Sequence, residues 1–296
     1  MNDGGGAVGE VGSASSESRS EPRTESRTAT PAESTRGVWV EQAAGFTDRT
    51  LRDVARSWTV LGVAVGLPPI MYLLVTATRE FEPATKGLFA VGIAVLGAMI
   101  ASLTVFGSQL AVDLESDRFL AYRSMSVRPS ADLAGRMAAG LVVAALALGF
   151  GLAVGLLDGA PLGLDGVVPA MVSVVAFVGL SVVFMAAAIP IVAAANNEQY
   201  AQFALSLVAV FAFMLTGYNG VMPSIAILDE SVVQLFPNAL ATRAMAVRLV
   251  TVEGTLGVDF AGRGGRLAAL AGYGVVAAVA GVLLSRWQLY DGGSGR

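Results

Sequence analysis

The sequence predicts an all-α integral membrane protein, with six transmembrane helices preceded by one amphipathic interfacial helix. Three observations carry this reading. Apolar residues make up 54% of the 296 residues and charged residues only 14%, against about 25% charged in a soluble domain; the mean hydropathy is +0.66. The apolar residues fall in six blocks of roughly 20, the length at which a helix crosses a hydrocarbon core of about 30 Å. The blocks are continuous and rich in Ala, Leu and Gly, whereas a membrane barrel needs alternating segments of about ten residues. Inside lipid the backbone is satisfied only in helices or closed barrels, so the blocks are helices.

Along the chain, residues 1–36 are rich in Gly, Ser, Thr, Glu and Arg, with no aromatic before Trp39. Such a segment cannot bury enough apolar surface to offset its ordering entropy and is expected to be a disordered cytoplasmic tail. It lacks the apolar stretch of a signal peptide. The six-helix transmembrane domain is expected over 38–290. It opens with a helix over about 38–57, where Trp39, Ala43, Phe46, Thr50, Val54 and Trp58 recur every three or four residues. Arg49, Arg52, Arg56, Glu41, Asp48 and Asp53 lie mostly off that stripe. This pattern predicts a helix lying in the membrane interface, with Trp39 and Phe46 toward lipid and Arg52 and Arg56 toward water; a cytosolic extension of the first span is the alternative.

The six spans are expected at about 58–77, 87–110, 137–157, 167–195, 201–219 and 267–285. Pro68 and Pro69 should bend the first, and Pro190 lies near the end of the fourth. No Asp, Glu, Lys or Arg falls within these limits. Small residues four apart, Gly62/Gly66 and Gly151/Gly155, allow close helix approach, although chance gives this spacing in spans so rich in Gly and Ala. The fifth loop, about 220–266, holds Ile225–Leu228 and Val232–Phe236, both too short to cross and expected as short helices dipping into the interface, bracketed by Pro223 and Pro237.

Orientation follows from the basic residues near the spans. With the N-terminus inside, Arg49, Arg52, Arg56, Arg118, Arg123, Arg128, Arg136, Arg286 and Arg296 are inner, and Arg79, Lys86, Arg243, Arg248, Arg263 and Arg266 are outer. Nine against six places both termini in the cytoplasm, in the cell membrane.

Several chemistries are excluded. The chain has no Cys and no His, which removes disulfides, thiolate nucleophiles, His-based dyads and the commonest zinc and haem ligands. Lys86 is the only Lys and follows Thr85, so there is no phosphate-binding P-loop. A catalytic site and a cofactor are therefore not expected. The acidic balance, with a pI near 5.0, gives no footprint for nucleic acid; with Arg almost wholly replacing Lys, it resembles the balance of salt-adapted archaeal proteins. An ion-coupled carrier or channel would need polar or ionisable groups within the spans, and a scaffold subunit would need no pathway at all.

Loop two, residues 111–136, is the most informative stretch. Asp113, Glu115, Arg118 and Arg123 flank Phe119, Leu120, Tyr122 and Met125, a short helix with an apolar stripe and charged shoulders, suited to docking on a soluble partner. Phe119 and Tyr122 are the expected buried anchors of that contact, and Glu115, Arg118 and Arg123 its orienting charges, within Asp113–Arg128.

This loop resembles that of the ABC-2 type permeases, the membrane subunits of ABC exporters similar to the daunorubicin-resistance and nodulation permeases. The acidic run Asp113–Asp117 and the end Arg123–Ser130 carry the likeness, with Arg118-Phe119 where the family has Gly-Thr. Gly217–Pro223 and Leu235–Arg243 are similar to the family's segment before the last helix, and the order of elements agrees over about 38–290. The resemblance implies an ABC-2 exporter-like fold and a non-catalytic permease subunit, paired as a homodimer or heterodimer in the lipid bilayer. It implies a separate ABC ATPase subunit bound at Asp113, Glu115, Arg118, Phe119, Tyr122 and Arg123.

Overall fold

The structure, a computed structural model, describes residues 31–251 apart from 117, 126, 165 and 196, then 263–284 and 287. It is helical throughout, and no named strand occurs among the described residues. Among the described residues six helices are long and apolar enough to cross a membrane, as expected for a multi-pass membrane protein.

Helix α1 covers Pro31–Arg56. The predicted tail, 1–36, therefore ends too late: Pro31–Arg36 are already helical, and residues 1–30 lie outside the described residues. The first span, 58–78, is continuous but irregular, with α2 (Trp58–Leu61), a π turn over Gly62–Gly66, and α3 (Leu67–Thr78). The widened turn sits immediately before Pro68 and Pro69, which supply no backbone donor and so interrupt the regular ladder. Next come α4 (Pro83–Glu115), α5 (Arg118–Ser124), α6 (Pro129–Leu157), α7 (Val167–Ala194) and α8 (Glu198–Leu215). The four-residue α9 (Gly217–Gly220) leads through a 3-10 turn, Pro223–Ile225, to α10 (Glu230–Val233), α11 (Pro237–Leu249) and α12 (Arg263–Leu284).

Helix α4 is the axis of the fold. Its most apolar window is buried at every position, and α3, α6, α7, α8 and α11 surround it. A helix that is apolar on all sides buries all sides. Residues Ala90 and Ala94 of α4 meet Gly155 and Gly151 of α6, where an added Cβ would stand 2.8 Å from the Ala90 methyl and 2.9 Å from the Ala94 Cα. The Gly151/Gly155 spacing, expected from chance, is thus the seam between the two helices. By contrast a Cβ added at Gly62 or Gly66 would have nothing within 4 Å.

The two ends of the bundle differ. At the loop-two end, α4 and α6 run past their predicted limits, to Glu115 and from Pro129. The extension brings Asp113, Asp132 and Arg136 into the long helices, all buried, just beyond the charge-free limits of the predicted spans. Helix α1 crosses α6 there, close enough that a side chain at Gly135 would strike the backbone of Ala43 and the Phe46 Cβ. The stripe predicted to face lipid is half-buried or buried at Trp39, Ala43, Phe46, Thr50 and Val54, and it is spent on the protein: Trp39 Nε1 donates to Ser130 Oγ at 3.1 Å and Thr47 Oγ1 to the Gly135 carbonyl at 3.0 Å. Trp58 leaves the stripe and is exposed.

At the loop-five end, the short helices arise near their predicted places, yet most of Pro223–Phe236 is exposed, Ile227 and Leu235 included. The buried piece is α11, which packs on α7, α4, α9 and α12. Its far end pairs with the loop after α6, where Gly163 N donates to Leu249 O and Thr251 N to Pro161 O, each at 2.8 Å.

The seam and the open face give opposite expectations for the same substitution. Gly151→Ala should destabilise by about 1–3 kcal/mol through overpacking. Gly62→Ala should stabilise by up to about 1 kcal/mol, because helix propensity rises and nothing is struck. Unfolding midpoints in detergent micelles measure both; shifts of the same sign would contradict this assignment of the seam.

Candidate functional site

One carboxylate organises the loop-two end. Asp113, near the end of α4, has a side chain with no solvent exposure. Its Oδ1 accepts from Arg49 Nη2 of α1 at 3.1 Å and from Arg118 Nη1 of α5 at 2.9 Å. Its Oδ2 accepts from Arg136 Nη2 of α6 at 2.6 Å and from the Tyr122 hydroxyl of α5 at 2.8 Å. Four helices therefore meet on two oxygen atoms. Arg136 also donates through Nε to Asp132 Oδ1, one turn earlier in α6, at 2.5 Å. Its guanidinium lies 5.5 Å from the Phe46 ring centroid and 5.8 Å from that of Phe119, within the range in which a cation is attracted to a ring. Tyr122 meets both of those rings edge-on, at 5.5 and 5.8 Å.

The local sequence explains these positions. Pro129 opens α6, so Asp132 falls in its first turn and Arg136 four residues later on the same face. Seven-residue α5 has one apolar face, and Phe119 and Tyr122 form it. Burial pushes the Tyr122 hydroxyl above its ordinary range, and the hydrogen bond to Asp113 adds to this. For Arg49, burial works to lower the pKa, but the bond to Tyr122 and the charge of Asp113 outweigh it and hold it raised.

Each predicted site residue now has a place. Asp113 is the hub. Phe119 and Tyr122 are 4% and 6% exposed and pack inside their own chain, which corrects their reading as anchors for a partner: the ring faces are consumed by Arg136 and Phe46. Glu115 is exposed and accepts from the backbone of Glu198 at 3.2 Å, tying α4 to the start of α8. Arg118 is 45% exposed at its side chain. The side chain of Arg123 lies outside the described residues. Trp39 and Phe46 hold α1 against α6, Arg52 pairs with Asp48 at 2.6 Å, and Arg56 is exposed. Ala121, Ser124 and Met125 join Arg118 on the outward face of the loop. The sequence reading missed Arg49, Asp132 and Arg136 as members of the site. The Asp-x-x-x-Arg spacing just ahead of the third apolar block was the available signal.

A second polar cluster lies at the loop-five end. All four residues of α9 have positive φ: Gly217 67°, Tyr218 54°, Asn219 60° and Gly220 79°. A left-handed turn costs a residue with a Cβ roughly 1–2 kcal/mol and persists only where surroundings enforce it. Here Asn219 Nδ2 donates to the Gly92 carbonyl of α4 at 3.0 Å, and its Oδ1 accepts from Asn238 at 2.9 Å. The Tyr218 ring stacks on Phe213 at 4.8 Å. Arg243 of α11, 1% exposed, donates through Nε to the Gly220 carbonyl at 2.8 Å and through its two terminal nitrogens to Glu230, at 2.5 and 2.9 Å. Beyond the spans, Lys86 pairs with Asp158 at 2.9 Å.

Neither cluster offers a free base or nucleophile: each charged group named is engaged by a counter-charge or hydrogen bond. Among the described residues no group of His, Cys, Asp or Glu is arranged to hold a metal. What the loop-two cluster can do is mechanical, because a displacement of α5 must move α1, α4 and α6 or break charge-assisted bonds. Compared with known proteins, the chain matches no family model, no curated protein and no solved structure.

Removing one side of a buried ion pair strands the other charge. Arg136→Met should therefore cost about 3–5 kcal/mol of unfolding free energy, and Arg118→Ala, at the exposed edge, under about 1 kcal/mol. Equal losses in micelle unfolding at neutral pH would contradict the hub.

Acid should loosen the opposite end. The hydrogen bond from Arg243 holds the Glu230 carboxyl below the usual carboxylate range, and Lys86 does the same for Asp158. A carboxylate depressed in the folded state stabilises fully above its unfolded pKa, about 4.3 for Glu, and loses that contribution as pH falls further. The unfolding temperature should stay level above about pH 5 and drop below about pH 4, with a shallower drop in Glu230→Gln; an unchanged acid slope in that variant would refute Glu230's share.

Proposed function

We propose that this chain is the permease subunit of an ATP-driven exporter of the ABC-2 type, energised by a separate ATPase subunit that docks on loop two. The observation that carries the reading is the Asp113 hub: a surface helix, α5, is fastened by one buried carboxylate to α1, α4 and α6. A push delivered to α5 by another protein is thereby delivered to the long helices. The contact surface is the outward side of the loop, Glu115, Arg118, Ala121 and Met125, all exposed, rather than the inward rings.

Helix α4 is enclosed by its neighbours over its most apolar window, which supports a pathway formed between this chain and a second copy or a second permease chain. The distribution of Arg and Lys supports both termini on the cytoplasmic side of the cell membrane. A second reading, an ion-coupled carrier, has its own support in the broken helix at α9 with Asn219, Asn238 and Thr216 buried beside the break.

Copurification separates the two. Met125→Asp should lower ATPase association at least about tenfold, the loss on the order of 1.4 kcal/mol seen when an interface anchor is replaced, and should abolish stimulated hydrolysis, while insertion and thermal stability stay unchanged. Transport by the purified chain alone, driven by an ion gradient, would overturn the ATPase reading.

A further inference from the structure

We infer that Arg243 is a latch that binds the left-handed turn α9 and the exposed strap 222–236 into one opening unit. The geometry is that of one guanidinium shared between two segments. Arg243 Nε holds the Gly220 carbonyl of the turn, and the two terminal nitrogens hold Glu230 on the strap. All three nitrogens belong to a side chain that is 1% exposed, so neither partner is lost without consequence for the other.

The asymmetry of the pair says where it opens. The Arg243 side chain is buried, whereas the Glu230 side chain is 42% exposed. Most of the strap is exposed as well, and Val233 is its one fully buried side chain; its backbone ties include the amides of Ile227 and Leu228, both on the Leu215 carbonyl, and the Met222 amide on the Gly217 carbonyl of the turn. Segments with few buried contacts and exposed backbone open first. Once Glu230 leaves, two charged donors are stranded inside apolar surroundings. The guanidinium cannot stay there unpaired, and as it turns toward water its Nε releases Gly220.

The turn is poised to follow. Tyr218 and Asn219 carry Cβ atoms in a left-handed backbone, a conformation retained only while its surroundings enforce it. The latched state also keeps one acceptor idle, since Asn238 Oδ1 is buried without a partner. Both features make the latched state the tense one, and the Arg243 bridge is what couples release of the strap to relaxation of the turn. This inference concerns the loop-five end and stands whether or not the chain works with an ATPase.

The test uses the absence of Cys in the whole chain. Single cysteines are placed at Val233, under the strap, and at Val221, beside the turn, both buried, and their reaction with a polar maleimide is timed in the reconstituted full-length protein. Glu230→Gln should accelerate labelling at both sites at least about tenfold, and leave an exposed cysteine at Ser231 unchanged. A cysteine at Ser102, buried in α4, reports global unfolding and should stay unlabelled; if it reacts, Glu230→Asp, which shortens the arm without removing the charge, is scored in the same way. Acceleration at both sites supports the latch. Acceleration at Val233 alone, or at neither, overturns it.

Discussion

The constraint on which this structure depends is that α4 has no free face. A helix apolar around its whole circumference gains most when every side is covered, and here α3, α6, α7, α8 and α11 supply the cover. The remaining features follow from that enclosure. Small residues must line α4 or its neighbours where covering helices come close, as at the Gly151 and Gly155 seam. Pro68 and Pro69 can sit against α4 because the π turn before them absorbs the missing donors. Hydroxyls within α4 bond its own backbone, as Thr104 does to Ile100 and Ser108 to Val105, whereas the buried Asp113 carboxylate near its end is met by donors from other helices.

Both ends of the bundle use arginine, in different ways. At the loop-two end the carboxylate is the buried hub and arginines converge on it from α1, α5 and α6. At the loop-five end the guanidinium is buried and a carboxylate and a carbonyl converge on it. Arginine suits both roles, since its planar fork donates in fixed directions to several acceptors at once. Buried ion pairs add little net stability over an apolar replacement, yet they penalise every arrangement that leaves a member alone. Their effect is specificity: they fix which helices meet.

Much of the fold was legible from the residues. Six apolar blocks gave six helices, because length and continuous hydrophobicity suffice for that inference. The stripe Trp39, Ala43, Phe46, Thr50 and Val54 marked the inward face of α1 correctly. The reading failed at what that stripe touches. Periodicity reveals that a face is apolar, but lipid and a neighbouring helix satisfy it equally, so α1 was read as facing lipid when it faces α6. The same ambiguity misplaced Phe119 and Tyr122, whose rings fit a partner's groove as well as their own core. Helix α11 went unrecognised because its mixed composition, with Arg243 and Arg248 among alanines, carries no periodic signal.

By itself the sequence determined an all-α architecture, six helices long and apolar enough to cross a membrane and the charged character of loop two, since each depends on residue type and spacing along the chain. Only the tertiary structure decided that Asp113, Arg49, Arg118, Tyr122 and Arg136 form one cluster, and that Arg243 joins Gly220 to Glu230. Arg136 lies 23 residues from Asp113 and Arg49 64. Nothing local links such positions: which arginine reaches which carboxylate is fixed by the packing of whole helices around α4, and that packing is settled by the surface every helix must bury at once.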